Sequence, residues 1–261
     1  MPDFPGMGYP LVPGYETVGR VIDAGRDASV RIGEWVFVPG ASCYENARGL
    51  FGGSAQHLIV PAARAIPISE SLAESGVLVA LAATAHHALA EGRIPELVVG
   101  HGVLGRLIAR IALVMGGEPP VVWEMSEARR EGAAGYNVID PDLDERRDYG
   151  VVCDVSGSMS VLDKLVARLA RKGEIILAGF YTERVNFAFP PAFQKEVSFR
   201  ISAEWAPSDL EAVLTMIEDG SLSLDGLVSD LQPAANAQEA YPAAFSDPDC
   251  LKMVLDWREA A

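Results

Sequence analysis

Glu96–Glu124 reads ELVVGHGVLGRLIARIALVMGGEPPVVWE, and the fold follows from how its parts join. Leu97-Val98-Val99 is a short apolar run of strand type. Gly100, Gly102 and Gly105 follow in the spacing G-x-G-x-x-G. Val103–Met115 then sets Leu104, Leu107, Ile108, Ile111 and Met115 at helical intervals. Gly116-Gly117 stops that helix, because glycine takes the left-handed cap conformation without a Cβ clash. Val121-Val122-Trp123 is a second strand, and Glu124 ends it.

These residues fit a dinucleotide, position by position. Gly100 permits the tight strand-to-helix turn, Gly102 lets backbone and pyrophosphate approach, and Gly105 lets helix lie close to strand. Val103 and Leu104 open the helix, whose N-terminal N–H groups and partial positive charge face the phosphates. Glu124 stands close to the roughly 20 residues beyond the glycines where a ribose-binding acid is expected. A carboxylate there repels a 2′-phosphate, so the expected cofactor is NAD rather than NADP. The competing reading is a bare glycine cluster in a βαβ unit. Strand, helix, second strand and terminal acid in register favour the cofactor.

The 261 residues are 49% hydrophobic, enough for a large core and two lobes. The net charge of −15 makes nucleic acid an improbable partner, because phosphate backbones need cations. Apolar stretches near Val77–Ala90 and Leu104–Met115 are too short to span a bilayer, and no signal-peptide pattern follows Met1. Cys43, Cys153 and Cys250 make neither a disulfide framework nor a metal clip, which fits a reduced cytoplasmic compartment.

Residues 1–72 read as β-rich and irregular, with Pro2, Pro5, Pro10 and Pro13 at the start. Strands are expected at Thr17–Ala24, Glu34–Val38 and Gln56–Val60, and an alanine-rich buried helix at Ser71–Glu91. Beyond Glu124 the pattern alternates. Helices are expected at Ser126–Ala134, Met159–Ala170 and Ser208–Glu218, the last with Ser208 as N-cap. Strands are expected at Asn137–Ile139, Val151–Val155, Glu174–Ala178, Val197–Ala203 and Leu251–Leu255. Alternation implies a mostly parallel sheet covered on both faces. A nucleotide-binding domain at 73–220 is thus inserted between the two pieces, 1–72 and 221–261, of a substrate domain.

Four strings resemble the medium-chain dehydrogenase/reductase superfamily. Pro13-Gly14-Tyr15-Glu16-Thr17-Val18-Gly19 is similar to its PGHExxG signature, and Thr84-Ala85-His86-His87-Ala88-Leu89 to its TAYHAL helix. Cys153–Gly157 and Gly173–Gly179 resemble later strands. The resemblance implies an α/β Rossmann doubly wound parallel sheet inserted in a β-rich GroES-like lobe, with a homodimer joined through the Val197–Ala203 edge strand. Members carry a further N-terminal segment before the PGHExxG region, so the GroES-like lobe is expected to be incomplete.

Longer strings, Met1–Gly19, Asn186–Phe193 and Ser246–Arg258, resemble one branch of that superfamily. Its members oxidise the 3-(1-hydroxyethyl) group of a bacteriochlorophyllide to 3-acetyl during bacteriochlorophyll a biosynthesis. A zinc-free quinone or enone reductase, or a non-catalytic pigment- or nucleotide-binding protein, are the alternatives. Tyr15 replaces the histidine ligand of the signature and Ala80 falls near the later cysteine ligand, so no metal is expected.

A side chain must then take the hydroxyl proton. Tyr15 and Glu16 inherit a cleft position from the signature; Tyr44, His57 and His87 are further candidates, and histidine has the better-matched pKa. Each also has a packing role open to it, Glu16 as a buried carboxylate paired with an arginine. Asp154, at the end of a buried strand, orients the cofactor or caps the next turn. Gly179 and Phe180, with Tyr181, end the following strand beside the expected nicotinamide site. Phe4, Tyr9, Phe51, Phe187, Phe189 and Phe193 are candidates for an apolar wall. Cys153 reads as a core residue.

Overall fold

A computed structural model describes residues 8–90, 92–182 and 184–258. Pro2, Phe4, Pro5 and Glu91 lie outside the described residues. The chain divides into two compact units, Met1–Ala80 with Leu224–Ala261, and Leu81–Ser223.

The first unit has short strands: β1 (Leu11–Val12), β2 (Thr17–Arg20), β3 (Trp35–Val38), β4 (Arg48–Gly49) and β5 (Ile66–Pro67). β2, β3 and β5 form an antiparallel sheet, and β1 pairs with β4 in parallel. Val30, Val36, Val38 and Ala65 make its core, with Leu58 and Val60 packed against them. Gln56–Val60 is therefore apolar for packing, but it is irregular rather than the expected strand. Pro61 follows it and cannot donate to a ladder.

The expected Ser71–Glu91 helix is two pieces. A 3₁₀ run, Glu70–Leu78, is interrupted at Ala73, where φ is 43°. The α-helix α1 (Val79–Ala90) follows. By length and composition the helical run Glu70–Ala90 is apolar enough to cross a membrane. Its regular α part is 12 residues, about 18 Å long, against about 30 Å of bilayer hydrocarbon. Leu78, Val79, Ala82, Ala83, Ala85, Ala88 and Leu89 are fully buried, as in a core helix.

The second unit alternates: β6 (Leu97–Val99), α2 (Val103–Val114), β7 (Val121–Trp123), β8 (Asn137–Ile139), β9 (Tyr149–Asp154), α3 (Leu162–Arg168), β10 (Leu169–Leu177), α4 (Phe189–Lys195), β11 (Ser198–Ile201) and α5 (Pro207–Glu218). All six strands pair in parallel, in the order β8-β7-β6-β9-β10-β11. Strand order reverses between β6 and β9, and in open α/β sheets ligands bind outside the strand ends at such a point. The α/β doubly wound sheet read from the sequence is the fold observed.

Buried Asp144 ties the Asp140–Asp148 loop to this core. Its Oδ2 accepts Trp123 Nε1–H at 2.7 Å and the Tyr149 hydroxyl at 2.8 Å, and Arg168 lies 3.6 Å from Oδ1.

Two helical expectations are corrected. Ser126–Ala134 holds only a single turn, Ala128–Arg130, within a loop. Gly132 and Gly135 adopt φ of 78° and 84°, and Arg106 takes the carbonyls of Arg129, Glu131 and Gly132. α5 begins at Pro207 with Ala206, not Ser208, as N-cap; Asp209 supplies the cap, its Oδ2 accepting the Ala206 N–H at 2.8 Å. The chain returns to the first unit as β12 (Asp230–Pro233), α6 (Ala237–Ser246) and β13 (Met253–Asp256), with β12 and β13 paired in parallel.

A Cβ added at Gly105 would stand 1.9 Å from the Gly100 carbonyl oxygen. Gly105→Ala should therefore destabilise the protein by about 2 kcal/mol or more in denaturant unfolding, the cost of overpacking against backbone. An unchanged midpoint would show that helix and strand are not packed this closely.

Candidate active site

At the strand reversal, Gly100 leaves β6 with φ of 104° and its N–H bonded to Trp123 O at 2.8 Å. Val155 N–H bonds to Val99 O at 3.0 Å, so β9 ends beside this turn. Gly102 is the N-cap of α2, and nothing lies within 4 Å of where its Cβ would be. The first-turn amides of Val103 and Leu104 have no carbonyl preceding them in the helix. Open space over Gly102, in front of a helix N-terminus, is the geometry a pyrophosphate needs, so the residues present fit a dinucleotide.

Glu124 follows β7, and both its carboxylate oxygens are held. Oε2 accepts the His101 N–H at 3.0 Å and Oε1 accepts the Ser126 N–H at 2.8 Å. A carboxylate offers about four acceptor sites, so about two stay open to a ligand's hydroxyls. Arg130 lies close by, but its Nε donates to Glu124 O, and its Nη2 to Met125 O and Asp140.

Asp154 is fully buried at the end of β9. Its Oδ1 caps the Ser156 N–H at 3.0 Å, while the Tyr181 hydroxyl donates to its backbone O at 2.8 Å and its Oδ2 at 3.0 Å. Burial raises the Asp154 carboxyl, opposed by the bonds from Ser156 and Tyr181. Burial, then the neighbouring Asp154, raises the Tyr181 phenol, which keeps its proton as a donor. Gly179 N–H bonds to Asp154 O at 3.1 Å, and Phe180 beside it is exposed. Burial pushes the Cys153 thiol up to about 12, in keeping with a core residue.

The proton-acceptor candidates separate. Tyr15, Glu16 and His57 line one groove of about 2000 Å³ in the first unit. Tyr15 meets Phe51 edge-on at 5.0 Å, and burial, then Glu16, raises its phenol, so it is a donor rather than a base at neutral pH. Glu16 is an ion pair, but with Lys252 rather than an arginine: Nζ bonds Oε2, while Oε1 is buried with no hydrogen-bond partner among the described residues. His57 is exposed on the irregular segment. Tyr44 donates its hydroxyl to Gly52 O at 2.6 Å.

His87 is in the second unit. With His86 it grips one carboxylate, Nδ1 of each within 2.8 Å of an oxygen of Asp209. Of the aromatic candidates, Tyr9, Phe51, Phe189 and Phe193 are exposed, whereas Phe187 packs on Phe199 at 4.7 Å. Among the described residues no group of three His, Cys, Asp or Glu is gathered as for a metal.

Sequence reasoning missed Lys252, far from Glu16 in the chain, and the partners of His101. The imidazole of His101, inside the glycine motif itself, is fully buried between Arg129 O and the Tyr136 hydroxyl. Burial pushes it down to about 4, Arg106 and Arg110 pushing the same way against the Arg129 bond and Glu124. The folded state thus holds His101 neutral, while an unfolded histidine takes a proton below about pH 6.5. The stability it contributes is complete above pH 6.5 and is lost as pH falls through 4. Between pH 7 and 4 the wild type should lose about 3 kcal/mol more than His101→Gln in denaturant unfolding. Equal pH slopes would show that the imidazole protonates freely in the folded protein.

With this geometry in hand, the chain can be set beside known proteins. Residues 2–70 match the alcohol dehydrogenase GroES-like domain. The chain is 55% identical to the 2-desacetyl-2-hydroxyethyl bacteriochlorophyllide A dehydrogenase of Rhodobacter capsulatus, over 100% of its own length and 84% of that protein's. It is 56% identical to the enzyme of the same name from Cereibacter sphaeroides, with the same two coverages. L-idonate 5-dehydrogenase from Escherichia coli shares the fold at a TM-score of 0.81 and 19% identity, over 94% of this chain and 81% of that one. The chain belongs to the medium-chain dehydrogenase/reductase superfamily, in the family of these two bacteriochlorophyllide dehydrogenases.

Proposed function

We propose that this protein is a zinc-free, NAD-dependent alcohol dehydrogenase that oxidises the 3-(1-hydroxyethyl) group of a bacteriochlorophyllide to 3-acetyl, a step of bacteriochlorophyll a biosynthesis. One observation carries it: a glycine turn and Glu124 in register, in a chain that matches along its whole length two enzymes named for that substrate.

The bound nicotinamide supplies the hydride acceptor. The open backbone at Gly102 and the first turn of α2 receive the pyrophosphate. Glu124 receives the ribose hydroxyls, and its charge opposes a 2′-phosphate. Arg130 turns its Nε and Nη2 to Glu124 O, Met125 O and the Asp140 carboxylate, with which it is ion-paired.

The donor set does not fit a catalytic zinc, which needs three protein ligands: Tyr15 is a poor one and Ala80 none. Glu16 is the group assigned to the hydroxyl proton. Its Oε1 has no hydrogen-bond partner among the described residues, and Lys252 is ion-paired with Oε2. His87 and His86 hold α5 through Asp209. The free edge at β11, with Ile201 exposed, is where a second copy would pair to form a homodimer. Cys43, Cys153 and Cys250 form no disulfide among the described residues, which suits a reducing cytoplasm.

Purified protein given NAD and the hydroxyethyl pigment should form NADH together with the acetyl pigment, seen as a shifted absorption band. Glu16→Gln should lower kcat about 100-fold or more while NADH still binds. Glu124→Ala should raise the use of NADP relative to NAD. A wild-type preference for NADPH with turnover of small quinones would transfer the assignment to the reductase branch.

A further inference from the structure

The imidazole of His101, inside the glycine motif, is fully buried. A buried imidazole is stable only when both nitrogens find partners. Arg129 O, 2.6 Å from Nδ1, can only accept, so Nδ1 carries the proton. Nε2 is then an acceptor and takes the Tyr136 hydroxyl proton at 2.9 Å. The rings also meet edge-on, at 83° and 5.6 Å between centroids. Arg106, one turn into α2, donates from Nε to His101 O and from its two Nη atoms to Gly132 O, Arg129 O and Glu131 O. The loop between Glu124 and Tyr136 is thereby tied to the glycine turn at several points.

His101 acts in two directions. Its backbone N–H holds Glu124 Oε2, and its side chain holds the loop that begins with Ser126, whose N–H holds Oε1. The carboxylate is fixed from both sides, with its remaining lone pairs free to receive two adjacent hydroxyls.

We propose that His101 and Tyr136 are positioning residues for the adenosine ribose of the cofactor: their contact locks the loop so that Glu124 meets the vicinal diol already oriented. This rests on the cofactor reading of Glu124. Tyr136→Phe keeps the ring and removes the hydroxyl that reaches His101. Fluorescence titration with NADH, and with NADH lacking the adenosine 2′-hydroxyl, compares the variant with the wild type.

The wild type should bind NADH about tenfold more tightly than the 2′-deoxy form, the scale of one hydrogen bond to a charged group. The variant should lose about tenfold for NADH and less than about twofold for the deoxy form, with kcat at saturating cofactor unchanged. Equal losses for the two ligands, or none for either, overturn the positioning role alone. A wild type that binds both ligands equally overturns the ribose reading of Glu124 and this inference with it. Should the variant not fold, amide hydrogen exchange in the wild type carries the test. NADH should slow exchange at His101 and Ser126 more than the deoxy form does, and equal slowing overturns the proposal.

Discussion

Between the Cα of Gly105 and the carbonyl oxygen of Gly100 there is no room for a methyl group. That contact lets α2 descend directly onto β6, and everything about the second unit follows. With helix and strand this close, the turn between them must be short, and Gly100 takes the left-handed conformation that a short turn demands. The amides of the first helical turn then point out over the strand ends at the place where strand order reverses. A second strand beside the first ends in Glu124, which reaches back to the same turn through the His101 amide. The candidate cofactor site is one consequence of a single close approach, rather than a set of residues assembled separately.

The first unit holds Glu16, the group proposed for the hydroxyl proton, and its surroundings are set by charge. A carboxylate taken from water needs a compensating cation. Lys252 supplies it to Glu16 from the opposite end of the chain. Tyr15, raised by burial and by the same carboxylate, stays protonated beside it. The groove these residues share is lined as well by Ile22, Ile59, Leu231 and Phe245, all of them exposed.

How much was legible depended on the distance over which the deciding contacts act. The strand–turn–helix–strand of Glu96–Glu124 is local, and its glycines and apolar period place it within a residue or two. Ser126–Ala134 is rich in the helix formers Ala, Glu and Arg, yet Arg106 claims its carbonyls; that competitor sits on another element and leaves no trace in the local pattern. Gln56–Val60 ends in the strand-like apolar run Leu58-Ile59-Val60, yet Leu58 and Val60 face a core that packing alone satisfies. The glycines and Glu124 could be named because their spacing encodes their task. The partners Lys252 and Tyr136 could not, because a pair that spans most of the chain, or a phenol in a loop, has no spacing rule. His87 looked chemically suited to a proton, and only the fold shows its imidazole, with that of His86, on Asp209.

A pyrophosphate held over the open backbone at Gly102 would be blocked by any side chain placed there. The most direct measurement is the NADH dissociation constant of Gly102→Val beside its melting temperature. No protein atom stands within 4 Å of the added Cβ position, so the fold should melt as the wild type does. NADH binding should weaken by about 100-fold or more, since the side chain occupies the approach to the helix N-terminus. A variant that melts normally and binds NADH as tightly as the wild type would contradict it.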